Sequence, residues 1–316
     1  MELLKGLSSL KILTRPNYMV LQKVSIGIPT YNRPESLRRT LECITNQTYS
    51  NIEIIVSDNC SPDERVQEII SEFEKNDSRI INIRQAFNVG AINNFKFVLS
   101  VAKGNYFMWA ADDDEWEPEY VEHLLSIIGT YSAAFCNYSV RYQGTQSEHE
   151  MIISKAAQGD NIYEQARNFL LERVPSMFYS IYVIENIRWF QKFNKTFDWF
   201  DCYFIFRVIL LGNGYVISKK NLYKAGIQGE TYEYKPINRN KTKVFTYSPY
   251  ISECLKVIWK AKMDVSKKIK LVFYLLDVNF RSFIEIEKVR KKYNFYFIFF
   301  KFYTLIIPKI VYKRLY

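Results

Sequence analysis

A chain of 316 residues with 48% apolar composition holds one large α/β domain plus an appendage, or two modest domains, and can bury a sizeable core. Its five cysteines (Cys43, Cys60, Cys136, Cys202, Cys254) are scattered without CxxC spacing and its only histidines are His123 and His149, which disfavours a disulfide framework, a zinc site and a histidine-driven triad and points to a reducing compartment. The net charge of +10 is concentrated between Lys241 and Tyr316, where 17 basic side chains face 5 acidic ones, so a nearly neutral body carries a basic, aromatic-rich tail.

In chain order, Leu3 to Leu13 is broken by Lys5, Gly6 and Lys11, so no signal peptide is expected. Val24-Ser-Ile-Gly-Ile28 reads as a buried strand. It is followed by Pro34, suited to a first helical turn, and by Leu37, Leu41 and Ile44 on one helical face. Ile52-Glu-Ile-Ile-Val56 reads as a second strand, and Val66, Ile69, Ile70 and Phe73 mark a second helix. A third strand at Ile80–Ile83, a helix from Ala91 to Val101 and a strand at Tyr106–Ala111 continue the alternation. Such alternation predicts βαβ units and a mostly parallel sheet.

The next stretch, Ser132 to Gly229, is less regular. It holds a predicted strand at Ala133–Val140 and a polar loop at Gln143–Glu150. The apolar run Tyr203–Leu211 behind Asp198-Trp-Phe-Asp201 ends at Gly212, a suitable helix stop. A polar connector, Gly229 to Lys243, leads to a helical C-terminal region. No stretch reaches the roughly 18 uninterrupted apolar residues of a spanning helix, since Phe295–Ile307 is too short and contains Lys301.

In open parallel sheets ligands bind outside the carboxyl ends of the strands. Three polar clusters fall at such ends: Thr30-Tyr-Asn-Arg33, Ser57-Asp-Asn59 and Asp112-Asp-Asp114. The acidic triplet admits two readings. Hard oxygen donors beside an anionic ligand suit Mg²⁺ or Mn²⁺. Alternatively, Asp114 caps a helix opened by Glu115-Trp-Glu-Pro-Glu119.

Val24-Ser-Ile-Gly-Ile-Pro-Thr-Tyr-Asn-Arg-Pro34, Ile54-Ile-Val-Ser-Asp-Asn-Cys-Ser61, Asn88-Val-Gly90 and the acidic segment up to Trp116 together resemble family 2 glycosyltransferases, inverting enzymes of the GT-A fold. The resemblance is strong from Lys23 to Leu125 and thinner to Gly226. It implies an α/β GT-A catalytic domain at 23–230, with a nucleotide-sugar half (23–130) and an acceptor half (131–230). An N-terminal segment (1–22) would precede it and a basic, aromatic-rich helical region (231–316) would follow. Thr30, Tyr31 and Asn32 match the first-strand motif that lines the nucleotide site. Asp58 matches the aspartate that pairs with the base, usually uracil. Arg84 and Asn88 match a loop near the ribose and diphosphate.

Asp112, Asp113 and Asp114 match the metal-binding acidic motif, although Ala111 stands where an acid is usual. Counting back from Trp116 gives Asp113 as direct ligand of Mn²⁺ or Mg²⁺, Asp112 facing the ribose or sugar, and Asp114 as ligand or cap. Asp201, with Arg207 six positions on and Gly212 beyond, matches the catalytic base, with Phe200 where Glu is usual and Asp198 in reserve.

The implied activity is transfer of a sugar from a nucleoside diphosphate, a UDP-sugar first, to a hydroxyl of a glycan or polyprenyl-linked acceptor. A sugar nucleotidyltransferase is disfavoured, because Pro-Thr-Tyr-Asn-Arg replaces its Gly-rich basic loop. A non-catalytic glycan- or membrane-binding protein is the rival from another class. Basic clusters beside aromatics, such as Lys267-Lys-Ile-Lys270 and Lys288–Lys292, suit an anionic membrane surface or packing on the body. No RRM, KH or helix-turn-helix signature points to nucleic acid. The expected location is the cytoplasm, peripheral at the inner face of the cell membrane.

Overall fold

The computed structural model describes residues 22–142, 148–153, 155–228 and 243–288. The N-terminal segment up to residue 21, the connector at 229–242 and the tail from 289, with its aromatic run Asn294–Ile307, lie outside the described residues.

The first half comprises β1 (Val24–Thr30), α1 (Pro34–Thr45), β2 (Ile52–Asp58), α2 (Arg65–Asn76), β3 (Ile80–Arg84), α3 (Ala91–Val101) and β4 (Tyr106–Trp109). Every residue of β1 and β2 is buried, as expected of parallel strands covered on both faces. Proline starts α1, where its missing N–H costs nothing, and Leu37, Leu41 and Ile44 form the buried stripe against the sheet. The four strands lie parallel in the order β3-β2-β1-β4.

The second half comprises β5 (Glu115–Trp116), α4 (Tyr120–Ile128), β6 (Ala133–Tyr142), β7 (Glu148–Met151), α5 (Ile162–Glu172), β8 (Ile181–Val183), α6 (Phe200–Leu211) and β9 (Tyr215–Gln228). Short 3-10 turns lie at Pro175–Tyr179, Ile184–Asn186 and Arg188–Lys192. The sheet continues β4-β8-β6-β9-β5, with β7 on β6. Strand β8 runs antiparallel to both β4 and β6, so the direction of the sheet changes just beyond the strand that precedes the acidic triplet.

Two local expectations are corrected. Glu115 does not open a helix. Glu115 and Trp116 form β5, paired antiparallel with Lys224 and Tyr223, and helix α4 begins only at Tyr120. Burial of Trp116 against the Tyr223 ring, with centroids 5.6 Å apart, outweighs the helix-start signals of the acidic residues. Likewise part of the predicted loop at Gln143–Glu150 is strand, because residues 148–151 pair with β6. Gly212 follows α6 as expected, but in an extended conformation. What it provides is space, since a Cβ there would collide with Ser132 and the Val208 carbonyl.

Helices α7 (Lys243–Lys260) and α8 (Val265–Lys288) pack on α6 and α5 respectively. Tyr250, Cys254, Ile258, Leu271 and Leu275 are buried, so the described part of the basic region docks on the α/β body through an apolar inner face.

Candidate functional site

The register of the parallel strands puts their polar ends side by side. Thr30 pairs with Asp58 and Asp58 with Arg84. Ala110, one residue past β4, donates its N–H to the Gly27 carbonyl at 2.9 Å, which delivers Asp112 and Asp113 to the same edge. Thr30 and Asp58 are the last residues of their strands, so each polar side chain is still held by paired strand backbone rather than by a loop.

Asp112 is the centre of this edge. Its Oδ2 accepts from the Thr30 hydroxyl at 2.8 Å and the Tyr31 N–H at 3.4 Å, and its Oδ1 accepts from Arg33 Nη1 at 3.0 Å. The same Nη1 reaches Asp113 Oδ2 at 2.7 Å. Burial pushes the Asp112 carboxyl up to about 6, against the opposing pull of the Arg33 charge. Asp113 is the open member, with 43% of its side chain exposed.

Asp114 faces the other half of the sheet. Its Oδ2 accepts from the Tyr223 hydroxyl at 2.5 Å and its Oδ1 from the Gly226 N–H at 2.6 Å, both on β9. Burial, with the neighbouring Asp113 charge behind it, pushes this carboxyl up to about 8. It caps no helix. It ties the acidic turn to β9, where Gly226 is required because a Cβ would overlap the Asp113 carbonyl.

The loops beyond β2 and β3 are stitched together around Asp58. Its Oδ1 accepts from the Ser61 N–H and hydroxyl at 2.9 and 2.5 Å, and its Oδ2 from Gln67 at 2.9 Å. Arg84 lies 3.6 Å from the same carboxylate, donates to the Ser61 carbonyl at 3.0 Å and pairs with Glu64. Asp58 is fully buried with both oxygens engaged. Asn32, at a left-handed φ of 57°, donates its N–H to Ser61 Oγ at 2.8 Å and so links the first loop to the second. Asn88 Oδ1 accepts from Asn59 and from the Gly90 N–H, closing the third loop. Tyr31 stands out from this floor with 44% of its surface exposed.

Asp201 lies in the first turn of α6 and accepts from the Cys202 N–H at 2.8 Å. It is half-buried, and desolvation raises its pKa above the usual carboxylate value. An aromatic hub fixes this helix relative to the acidic turn. Trp109 stacks on Phe178 with centroids 4.7 Å apart and meets Phe204 edge-on, while Phe178 and Phe204 meet at 5.0 Å. The next residue after Phe178, Tyr179, registers both groups: after burial, the charges of Asp114, Asp113, Asp201 and Asp112 all raise the pKa of its hydroxyl. Arg207 lies over the Trp189 ring at 4.2 Å, and Asp198 Oδ1 is buried without a hydrogen-bond partner among the described residues.

Arg33, Tyr179, Tyr223 and Gly226 carry no assigned role in the sequence reading. Arg33 belongs to the polar cluster after β1, so its position was visible and its partners were not. The other three reach the site only through β8 and β9 pairing, which no local pattern announces.

For a divalent cation the donor chemistry fits. Asp112 Oδ1 and Asp113 Oδ2 converge on a single point, the Arg33 nitrogen, and both are hard oxygens. Among the described residues no group of three or more His, Cys, Asp or Glu suited to a metal occurs, so the protein would supply two ligands and leave the rest to water and phosphate.

A model of the family described as glycosyl transferase family 2 matches residues 25–211, more than half of the chain. The chain belongs to that family. Among relatives, the glycosyltransferase GlyA of Streptococcus pneumoniae is 31% identical over 221 residues, covering 65% of this chain and 30% of its own length. The GalNAc(5)-diNAcBac-PP-undecaprenol beta-1,3-glucosyltransferase of Campylobacter jejuni is 27% identical over 188 residues, covering 57% of this chain and 60% of its own. The match therefore spans less than two thirds of either relative. S. aureus TarS 1-349 in complex with UDP-GlcNAc shares the fold, with a TM-score of 0.67 at 18% identity over 85% of this chain and 76% of that one. The mostly parallel first half and the reversal at β8 thus form the GT-A architecture of family 2.

Proposed function

We propose that the chain is an inverting glycosyltransferase that moves a sugar from a UDP-type donor to a hydroxyl of a polyprenyl-linked glycan, with Mn²⁺ or Mg²⁺ as cofactor and Asp201 as base. The observation that carries this reading is the hydrogen-bonded set Thr30, Asp112, Arg33 and Asp113 at adjoining strand ends, open to solvent at Asp113. The UDP-GlcNAc complex of the TarS relative and the lipid-linked acceptor in the Campylobacter enzyme's name support the choice of substrates.

In this reading the exposed Tyr31 ring stacks on the base, and Asp58 Oδ2 turns from Gln67 to an imide N–H. Arg84 and Asn88 border the ribose and diphosphate, with Asn32 holding the first loop in place. Asp112 and Asp113 would hold the cation, and Asp114 anchors their turn through β9. When bound, the cation neutralises charge that develops on the departing diphosphate.

Asp201 takes the proton of the acceptor hydroxyl as its oxygen bonds to the anomeric carbon. The bond from that carbon to the diphosphate oxygen breaks on the opposite face, so the configuration inverts. The raised pKa of Asp201 makes it a stronger base than an exposed carboxylate.

An anionic membrane surface is the natural partner for a lipid-linked acceptor. On α8 the exposed Val265 and Ile269 lie among Lys267, Lys268 and Lys270, which supports contact with such a surface. No helix among the described residues is long and apolar enough to cross a membrane.

A thermal-shift screen of nucleoside diphosphates and nucleotide-sugars, each with and without Mn²⁺, tests the donor assignment. UDP or a UDP-sugar should raise the melting temperature, more so with Mn²⁺, and GDP or ADP should not. A chain that no nucleoside diphosphate stabilises would refute the proposal.

A further inference from the structure

Arg33 occupies an unusual place. One of its nitrogens lies 3.0 Å from Asp112 Oδ1 and 2.7 Å from Asp113 Oδ2, at the point where the two carboxylates converge. Two acids this close repel each other, and Asp112 is already deprived of solvent. Something positive must sit between them whenever the site is folded and both are charged.

We infer that Arg33 is the resident cation of the free enzyme, which a divalent metal must displace, so that metal binds weakly alone and strongly together with the nucleotide diphosphate. This inference rests on the metal-assisted reading of the site. Its physical basis is competition: the same two oxygens cannot coordinate a metal at about 2 Å and hold a guanidinium nitrogen at hydrogen-bond distance.

Arg33 has 27% of its side chain exposed and lies at the entry to α1. It can therefore leave by rotation of its own bonds without unfolding the strand edge. Released, the guanidinium stands beside the place where the diphosphate would bring negative charge, and its planar fork suits phosphate oxygens. Metal and diphosphate then favour one another. Each pays less of the cost of moving Arg33 once the other is bound, and the coupling must be equal in both directions.

The test is a titration of Mn²⁺, followed by the electron-paramagnetic-resonance signal of the free ion, into wild type and Arg33→Gln, each with and without UDP. Thermal melting confirms that the variant folds. Without UDP, Arg33→Gln should bind Mn²⁺ on the order of tenfold more tightly than wild type, because the ion no longer displaces a charged hydrogen-bond donor. The strengthening of Mn²⁺ binding by UDP should shrink in the variant.

If UDP strengthens Mn²⁺ binding in wild type but Arg33→Gln binds Mn²⁺ alone no more tightly than wild type does, the role of Arg33 is overturned and the metal-assisted reading stands. If UDP leaves Mn²⁺ binding unchanged in wild type, both are overturned.

Discussion

Trp109 and Phe204 meet edge to face with ring centroids 5.5 Å apart. Trp109 lies three residues before Asp112 and Phe204 three residues after Asp201, so this contact joins the strand that delivers the acidic turn to the helix that carries the proposed base. Both rings are fully buried, and Phe178 completes the triangle. Phe204→Ala should cost about 3–5 kcal/mol in urea denaturation, from lost burial and the cavity left behind. A cost under about 1 kcal/mol would show that the hub does not hold the two halves together.

Asp114 should behave as a structural group. Burial raises its pKa to about 8, and an amide in its place keeps one acceptor for the Gly226 N–H while its NH2 donates to the Tyr223 hydroxyl oxygen. Asp114→Ala leaves the Tyr223 hydroxyl and the Gly226 N–H without their acceptor, at about 1–3 kcal/mol for each buried group left unpaired. Asp114→Asn should retain most of that stability. Equal losses in the two variants, measured by denaturant melts, would contradict this.

Gly226→Ala should weaken nucleotide binding from across the sheet. The new methyl group has no room beside the Asp113 carbonyl, so the acidic turn must shift while the strand ends stay in place. Calorimetric affinity for UDP with Mn²⁺ should fall about tenfold or more, as expected when ligating groups are displaced by a fraction of an ångström. An unchanged affinity would mean that the turn is not set by β9.

The pH dependence follows from Asp201. Desolvation raises its pKa, so the folded state holds this proton more tightly than the unfolded chain does. The base form therefore appears only above the ordinary carboxylate range, and kcat/KM for transfer should fall as pH drops through that raised value. The stability contribution has the opposite sense: it is present at low pH and is lost as pH rises from the unfolded to the folded pKa. A pH–rate profile that stays flat down to about pH 4 would exclude Asp201 as the base.

Much of the first half was legible in the sequence, because each parallel strand announces itself as an apolar run and each helix as a periodic stripe. Thr30, Asp58 and Asp112 could be assigned to one edge from topology alone, and the Thr30–Asp58 register and the hydrogen bond from Thr30 to Asp112 place them there. The short strand at Glu115–Trp116 was not legible. Its partner, β9, lies more than a hundred residues away, and acids followed by proline read locally as a helix start. The same distance hid the Tyr223 bond to Asp114. Arg33 was visible as a residue but not as a bridge, since only folding brings its guanidinium between two carboxylates from β4's far end.

The most direct measurement is a calorimetric titration of UDP into wild type and Asp113→Ala, each with and without Mn²⁺. Asp113 is partly exposed and its ion pair with Arg33 lies at the surface of the site, so its removal should change the melting temperature little. Wild type should bind UDP at least tenfold more tightly with Mn²⁺ than without, and Asp113→Ala should bind weakly and equally in both conditions. A full Mn²⁺ effect retained in Asp113→Ala, or wild-type protein that binds no UDP at all, would contradict the site as described.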